Sequence, residues 1–133
     1  MIAIEDNTTR QTREEWLGSP QFLDAVSLAL HRAVAVRLRE DAEAVLSIAR
    51  NNLRRWLNRI ADDSAAQRPW REWRKILDRC SPDEICELIT QDTDEGQRLR
   101  SSTPFAGVLT PAERASIWQT HEQTRFIQSG APR

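Results

Sequence analysis

Between Arg50 and Arg79 the chain gathers nine cationic side chains against four acidic ones, a net charge of +5 between flanks of −3 each. Arg50, Arg54, Arg55, Arg59, Arg71, Arg74 and Lys75 are interleaved there with Trp56, Trp70 and Trp73. Guanidinium groups neutralise phosphates and grip carboxylates two-handed, and exposed aromatic rings stack on bases. These residue types therefore suit either a phosphate backbone or an acidic protein surface. The Trp residues, however, stand among apolar neighbours: Trp56 lies on an apolar stripe, and Trp73 lies beside Ile76 and Leu77. They are read as core side chains, and the arginine rows as a solvated or protein-binding face ahead of a nucleic-acid face. Lys75 is the sole lysine among 19 basic residues, a bias toward Arg that GC-rich coding also produces.

A second pair with chemical potential is Arg114 and His121, two helical turns apart and so on one face of a helix. This spacing resembles the Arg–His pair of HEPN ribonucleases, helical bundles in which Arg and His from two subunits act on the RNA backbone. Ala115 follows the Arg where active members usually carry a polar residue, and the pair stands on the last helix. Catalysis is therefore not expected from it, and no catalytic residue is assigned. No glycine-rich phosphate loop, Ser-His-Asp order or paired-carboxylate site stands out in the sequence, and Asp62-Asp63 and Asp92, Asp94 and Glu95 are read as capping or solvated loop acids. Cys80 and Cys86 lie far from His31 and His121, so no zinc-like spacing arises, and the thiols are read as free and buried. No cofactor and no metal site is expected.

The elements that must position these residues are helices. In Ala42–Ile60 the residues Ala42, Leu46, Ala49, Leu53, Trp56 and Ile60 recur at spacings of 4, 3, 4, 3 and 4, with Val45, Ile48 and Leu57 widening the stripe. This amphipathic helix is expected to be the central rod. Before it, Ser19-Pro20 starts a helix carrying Phe22, Leu23, Val26, Ala29, Leu30, Ala33, Val34, Val36 and Leu38 on a broad apolar face. An unbroken rod from Pro20 to Ile60 would reach about 60 Å at ~1.5 Å per residue, too long for a small domain to cover. A break at Arg39-Glu40-Asp41, with Asp41 as N-cap, makes it a helical hairpin.

Residues 61–67 read as a loop, with Pro69 opening a third helix through Trp70, Trp73, Leu77 and Cys80. Ser81-Pro82-Asp83-Glu84 and Thr110-Pro111-Ala112-Glu113 each combine capping-box spacing with Pro at the first helical position. Asp92 or Thr93 caps a short turn through Arg100. The resulting fold is all-α, a compact bundle of about five helices with a long N-terminal helical hairpin. The expected organisation is a flexible segment over residues 1–18, one helical domain over 19–127 and a frayed tail over 128–133. In the flexible segment Thr12 is placed to cap a turn and Trp16 to dock on the bundle.

The stretch from Asp92 to Trp118 contains a basic turn, a Pro-Phe-x-Gly corner and a capped helix. Three of the chain's segments carry a resemblance. They are Ala49-Arg50-Asn52-Leu53-Arg55-Trp56, then Trp70-Glu72-Trp73-Ile76-Leu77, then Arg98-Leu99-Arg100-Ser102-Pro104-Phe105-Ala106-Gly107. Together they resemble a group of small bacterial helical proteins reading roughly ARxNLxRW, WxEWxxIL and RLRxSxPFAGxLTxxER, with no activity attached to the pattern. The resemblance implies company with toxin–antitoxin or defence genes. In the corner itself Phe105 is expected to plug the core and Gly107 to adopt a φ that other residues resist. Arg98, Arg100 and Ser102 beside it form a second candidate docking site.

With 39% apolar and 29% charged residues, no apolar run of about 20 residues and no signal-peptide pattern, a cytoplasmic chain without membrane contact is expected. The favoured expectation is a non-enzymatic domain binding another protein, antitoxin-like in its most concrete form. The candidate contact residues are Arg50, Arg54, Arg55, Arg59, Arg71, Arg74, Arg98, Arg100 and Ser102. A nucleic-acid-binding module is the alternative, and a HEPN-like ribonuclease ranks third.

Overall fold

The computed structural model describes residues 18–59 and 64–128. They form six helices: α1 (Pro20–Glu40), α2 (Ala42–Arg59), α3 (Ser64–Arg79), α4 (Pro82–Ile89), α5 (Asp94–Ser101) and α6 (Pro111–Gln128). No strand occurs among the described residues. The expectations for residues 1–17, including Thr12 and Trp16, and for the tail from residue 129 lie outside them.

Helix boundaries follow the capping chemistry. Ser19 Oγ accepts from the Phe22 N–H at 3.2 Å with Pro20 at the first helical position. Asp41 ends α1 in a non-helical backbone conformation, and its Oδ1 accepts from the Ala44 N–H at 3.2 Å, which starts α2. The long apolar stretch is thus two helices that pack on each other across a one-residue corner. Both expected capping boxes form, Ser81 with Glu84 and Thr110 with Glu113. Thr93, rather than Asp92, caps α5 through the Gly96 N–H at 3.0 Å.

The hub is α1, not α2: it contacts α2, α4, α5 and α6, whereas α2 packs chiefly on α1 and α3. Its inward stripe runs through Leu28, His31, Ala35 and Leu38, at spacings of 3, 4 and 3. Leu23 and Val36, both assigned inward on periodicity, are about half exposed. A helix with apolar residues nearly all round leaves several possible stripes, and packing selects one of them.

The main core joins Val34, Ala35 and Leu38 of α1 to Leu53, Trp73, Leu77, Ile85, Ile89, Leu99 and Phe105. Trp73 is fully buried, meets Phe105 edge-on with ring centroids 5.6 Å apart, and donates its indole N–H to the Leu99 carbonyl at 3.0 Å. Trp56 departs from the core assignment. It is half-buried and lies on Trp70 at the rim, centroids 5.6 Å apart. A smaller cluster pairs Phe22 and Val26 with Trp118 of α6.

The α3 helix begins five residues earlier than Pro69, which sits inside it. Proline removes one N–H there, and Ala65, whose carbonyl loses that donor, lies exposed. What recruits the extra turn is Gln67, a polar residue read as part of a loop. It is buried, and its Nε2 donates to the Leu57 carbonyl near the end of α2 at 2.9 Å.

Candidate functional site

Three contacts fix the α2–α3 pair. Leu57 is joined to Gln67, Trp56 to Trp70, and Arg50 donates from Nη2 to the Leu77 carbonyl at 2.9 Å. As residue numbers rise along one helix they fall along the other, so the helices are antiparallel. Between their outer edges lies a groove of about 270 Å³. Arg50, Arg54 and Asn58, one helical turn apart, form its α2 wall; Arg74 and Asp78, also one turn apart, form its α3 wall. Leu53, Leu57 and Leu77 form the floor.

Charge is distributed unequally along this groove. At one end Arg50 is engaged by the Leu77 carbonyl, and Asp78 is the next residue along α3. At the other end Arg54 and Arg74 face the groove from opposite walls, both exposed, with no side-chain hydrogen bond or ion pair among the described residues. Asn58 adds an amide at that end. Two unpartnered guanidiniums over an apolar floor can receive a carboxylate together with an adjoining apolar side chain.

The other expected contact residues are dispersed. Arg55 lies in a shallow depression with Ile48, Asn51 and Asn52 and donates to Asn52 Oδ1. Arg71 sits on the outer face of α3 with Arg68, Glu72 and Lys75 and donates to Gln67 Oε1. Arg59 is exposed near the end of α2, outside the described grooves.

The second candidate surface, beside the Pro-Phe-x-Gly corner, is taken up by contacts within the molecule, at the surface for Arg98 and in the interior for Arg100. Arg98 makes a two-bond contact with Glu72 at 2.8 Å for each bond, and bonds Glu95 at 2.9 and 2.7 Å. Those hydrogen bonds hold the Glu72 and Glu95 carboxyls below the usual range and raise the Arg98 guanidinium. Arg98 thus ties α5 to α3.

Arg100, expected at the surface, has its side chain 1% exposed. Its Nη1 donates to the carbonyls of Gln91 at 2.6 Å and Ile89 at 3.4 Å, and its Nη2 reaches Asp24 Oδ1 at 3.5 Å. A buried guanidinium is costly unless its donors find acceptors; these contacts supply them for Nη1 and Nη2, while Nε is buried without a hydrogen-bond partner among the described residues. Gly96 belongs to the same device: a Cβ there would sit 2.2 Å from the Gln91 carbonyl oxygen. Ser102 is half-buried and closes α5 through its backbone N–H.

Two buried polar residues absent from the candidate set organise this corner. Asn52 donates from Nδ2 to the carbonyls of Pro104 and Ala106, both at 2.8 Å. Phe105 is thereby held in the core, and Gly107 takes φ +90°. The signal in the sequence is a polar residue at a stripe position, three after Ala49 and four before Trp56. His31 carries the same signal, standing between Leu28 and Ala35 on the inward face of α1.

The imidazole of His31 lies between Ser27 and Thr103. Its Nδ1 is 2.7 Å from the Ser27 carbonyl, which can only accept, so Nδ1 carries the proton. Nε2 then accepts from the Thr103 hydroxyl at 2.9 Å, and that oxygen accepts from the Phe105 N–H at 3.2 Å. Burial pushes the His31 pKa down; the Ser27 bond opposes this, and nearby Arg100 adds to it.

Arg114 is exposed beside an apolar groove lined by Val26, Leu30, Pro111, Ala115 and Trp118. His121 lies near Phe22, ring centroids 6.4 Å apart. The two cysteines are free; Cys86 is buried, which raises its thiol pKa, and Cys80 is half-buried. Among the described residues no cluster of three or more His, Cys, Asp or Glu could hold a metal ion, and no helix is long and apolar enough to cross a membrane.

The chain matches no protein-family model, no curated protein and no solved structure. A functional reading therefore stands on the geometry of this chain.

Proposed function

We propose that the protein is a non-enzymatic helical domain that binds another protein through the groove between α2 and α3. One observation carries the reading. Arg54 and Arg74 face each other across an apolar floor without a side-chain partner among the described residues, whereas Arg37, Arg98 and Arg100 are engaged internally. A phosphate backbone needs the cations but has no use for the leucine floor. A protein partner uses both. The sequence resemblance extends the proposal to an antitoxin-like or defence-associated partner.

The test is the double substitution Arg50→Ala with Arg54→Ala in the tagged full chain, assayed by co-purification from its host and by titration with DNA and RNA. We expect loss of a stoichiometric protein partner in the variant and no salt-sensitive nucleic-acid binding by the unsubstituted chain. Sub-micromolar nucleic-acid binding, lost in the variant and falling with a log–log salt slope of roughly −0.7 to −0.9 per phosphate, would replace this reading with the nucleic-acid one.

A further inference from the structure

We infer that the groove between α2 and α3 recognises an acidic helix of the partner, seating one leucine-like side chain on the floor and a carboxylate between Arg54 and Arg74. The inference rests on the protein-binding reading and specifies the chemistry of the ligand.

Charge complementarity selects the occupant. The groove lining carries three cations, Arg50, Arg54 and Arg74, against one acid, Asp78; Arg50 is bonded to the Leu77 carbonyl, whereas Arg54 and Arg74 have no side-chain hydrogen bond or ion pair among the described residues. A negative group is therefore attracted most strongly to the Arg54–Arg74 pair, which orients a segment laid along the groove. The floor selects the second feature. Leu53 and Leu77 are almost fully buried, so the half-buried Leu57 provides much of the apolar surface still open to contact. A groove of about 270 Å³ has room for a single large aliphatic side chain and an attached polar group, not for a continuous apolar face. The matching pattern is one apolar and one acidic residue a helical turn apart, close enough to enter the same groove together. Asn58 at the same end can donate to a backbone carbonyl of the segment or to its carboxylate.

The probe is a labelled synthetic helical peptide with Glu and Leu at i and i+4 on one face, followed by fluorescence anisotropy with the full chain. Controls replace the Glu by Gln, the Leu by Ala, or scramble the order. We expect saturable binding, weakened on the order of ten-fold by either peptide replacement and by Arg54→Glu or Arg74→Glu in the protein. Leu57→Asp should abolish it, with circular dichroism verifying that the helices remain. Replacing the peptide Glu by Lys should restore binding to the Arg54→Glu, Arg74→Glu double variant, an effect that misfolding cannot produce.

Equal binding of the scrambled peptide, indifference to both charge reversals, or no saturable binding overturns the inference. The broader reading is judged separately. If Arg50→Ala with Arg54→Ala still abolishes capture of the native partner, the cationic face binds protein with a different ligand chemistry.

Discussion

Arg100 and Arg54 carry the same guanidinium group in opposite settings. Arg100 directs its donors at the Ile89 and Gln91 carbonyls and at Asp24, inside the molecule, whereas Arg54 faces an open groove. The surroundings explain the difference. Around Arg100, a short helix ends against the core and leaves carbonyls that need donors, so a buried cation is stabilised by supplying them. Around Arg54, the backbone carbonyls are already consumed within α2, and the side chain has only solvent to face. An arginine in a cluster of arginines marks the exposed face here. Arg100, between Leu99 and the Pro-Phe corner, is an internal clamp.

The sharpest way to break this division is to remove side chains from the clamped side. Trp73→Ala should cost about 3–5 kcal/mol, the range for a large core aromatic, read from denaturant midpoints. Trp56→Ala should cost less, about 1–2 kcal/mol, because Trp56 stays partly exposed on Trp70. Equal losses would mean that rim and core are energetically one region.

Next in size are the polar clamps. Asn52→Ala leaves the Pro104 and Ala106 carbonyls without their donor, and Arg100→Ala strips the Ile89 and Gln91 carbonyls and leaves Asp24 without its cation. Each should cost about 2–4 kcal/mol by the same measurement. A loss below that of an ordinary surface substitution at either site would show that the corner holds without its clamp.

The all-helical class and most helix starts were legible because they depend on local chemistry. Ser19-Pro20, Ser81-Pro82 and Thr110-Pro111 each place a hydroxyl and a Pro where free N–H groups need capping. Asp41 as the break followed from length alone. Other features depended on neighbours distant in sequence. Gln67 looked like loop until Leu57 gave its amide a partner, and Arg100 looked like surface until Asp24, 76 residues away, came beside it. The arginine rows were legible as a polar face, but that Arg74 lines one groove with Arg50 and Arg54 required the antiparallel docking of α3. Val36 fits the helical period as well as Ala35 does, and only packing chose between them.

Acid provides a gentler probe of the clamped side. His31 is held neutral between Ser27 and Thr103, with Arg100 nearby, so its folded pKa lies below the ordinary value of about 6.5. The sign follows from proton linkage. Below that value the unfolded chain takes up a proton that the folded chain refuses, so stability falls as pH drops from about 6.5 toward the depressed folded pKa. Above about 6.5 both states are neutral and this dependence vanishes. The check is urea unfolding at stepped pH for the wild type and His31→Leu, since His121 is common to both. The pH-dependent loss should be smaller in the variant; an identical slope would place the titration elsewhere.

The smallest expected effect is the one that isolates the groove. Arg54→Ala with Arg74→Ala removes two exposed cations that lack a side-chain hydrogen bond or ion pair among the described residues. No buried acceptor loses a donor, and no core cavity opens. Alanine favours the helix slightly more than arginine, and removing two like charges from facing walls relieves their repulsion. The small losses come from the arginine stems, which cover part of the leucine floor. These contributions oppose one another, so the denaturant midpoint should move by no more than about 0.5 kcal/mol in equivalent stability. A larger destabilisation would show that Arg54 and Arg74 work as internal clamps, as Arg100 does, and would leave the groove without free cations for a partner. A neutral or slightly stabilising result, combined with loss of binding to the acidic peptide, is what a surface kept for recognition requires.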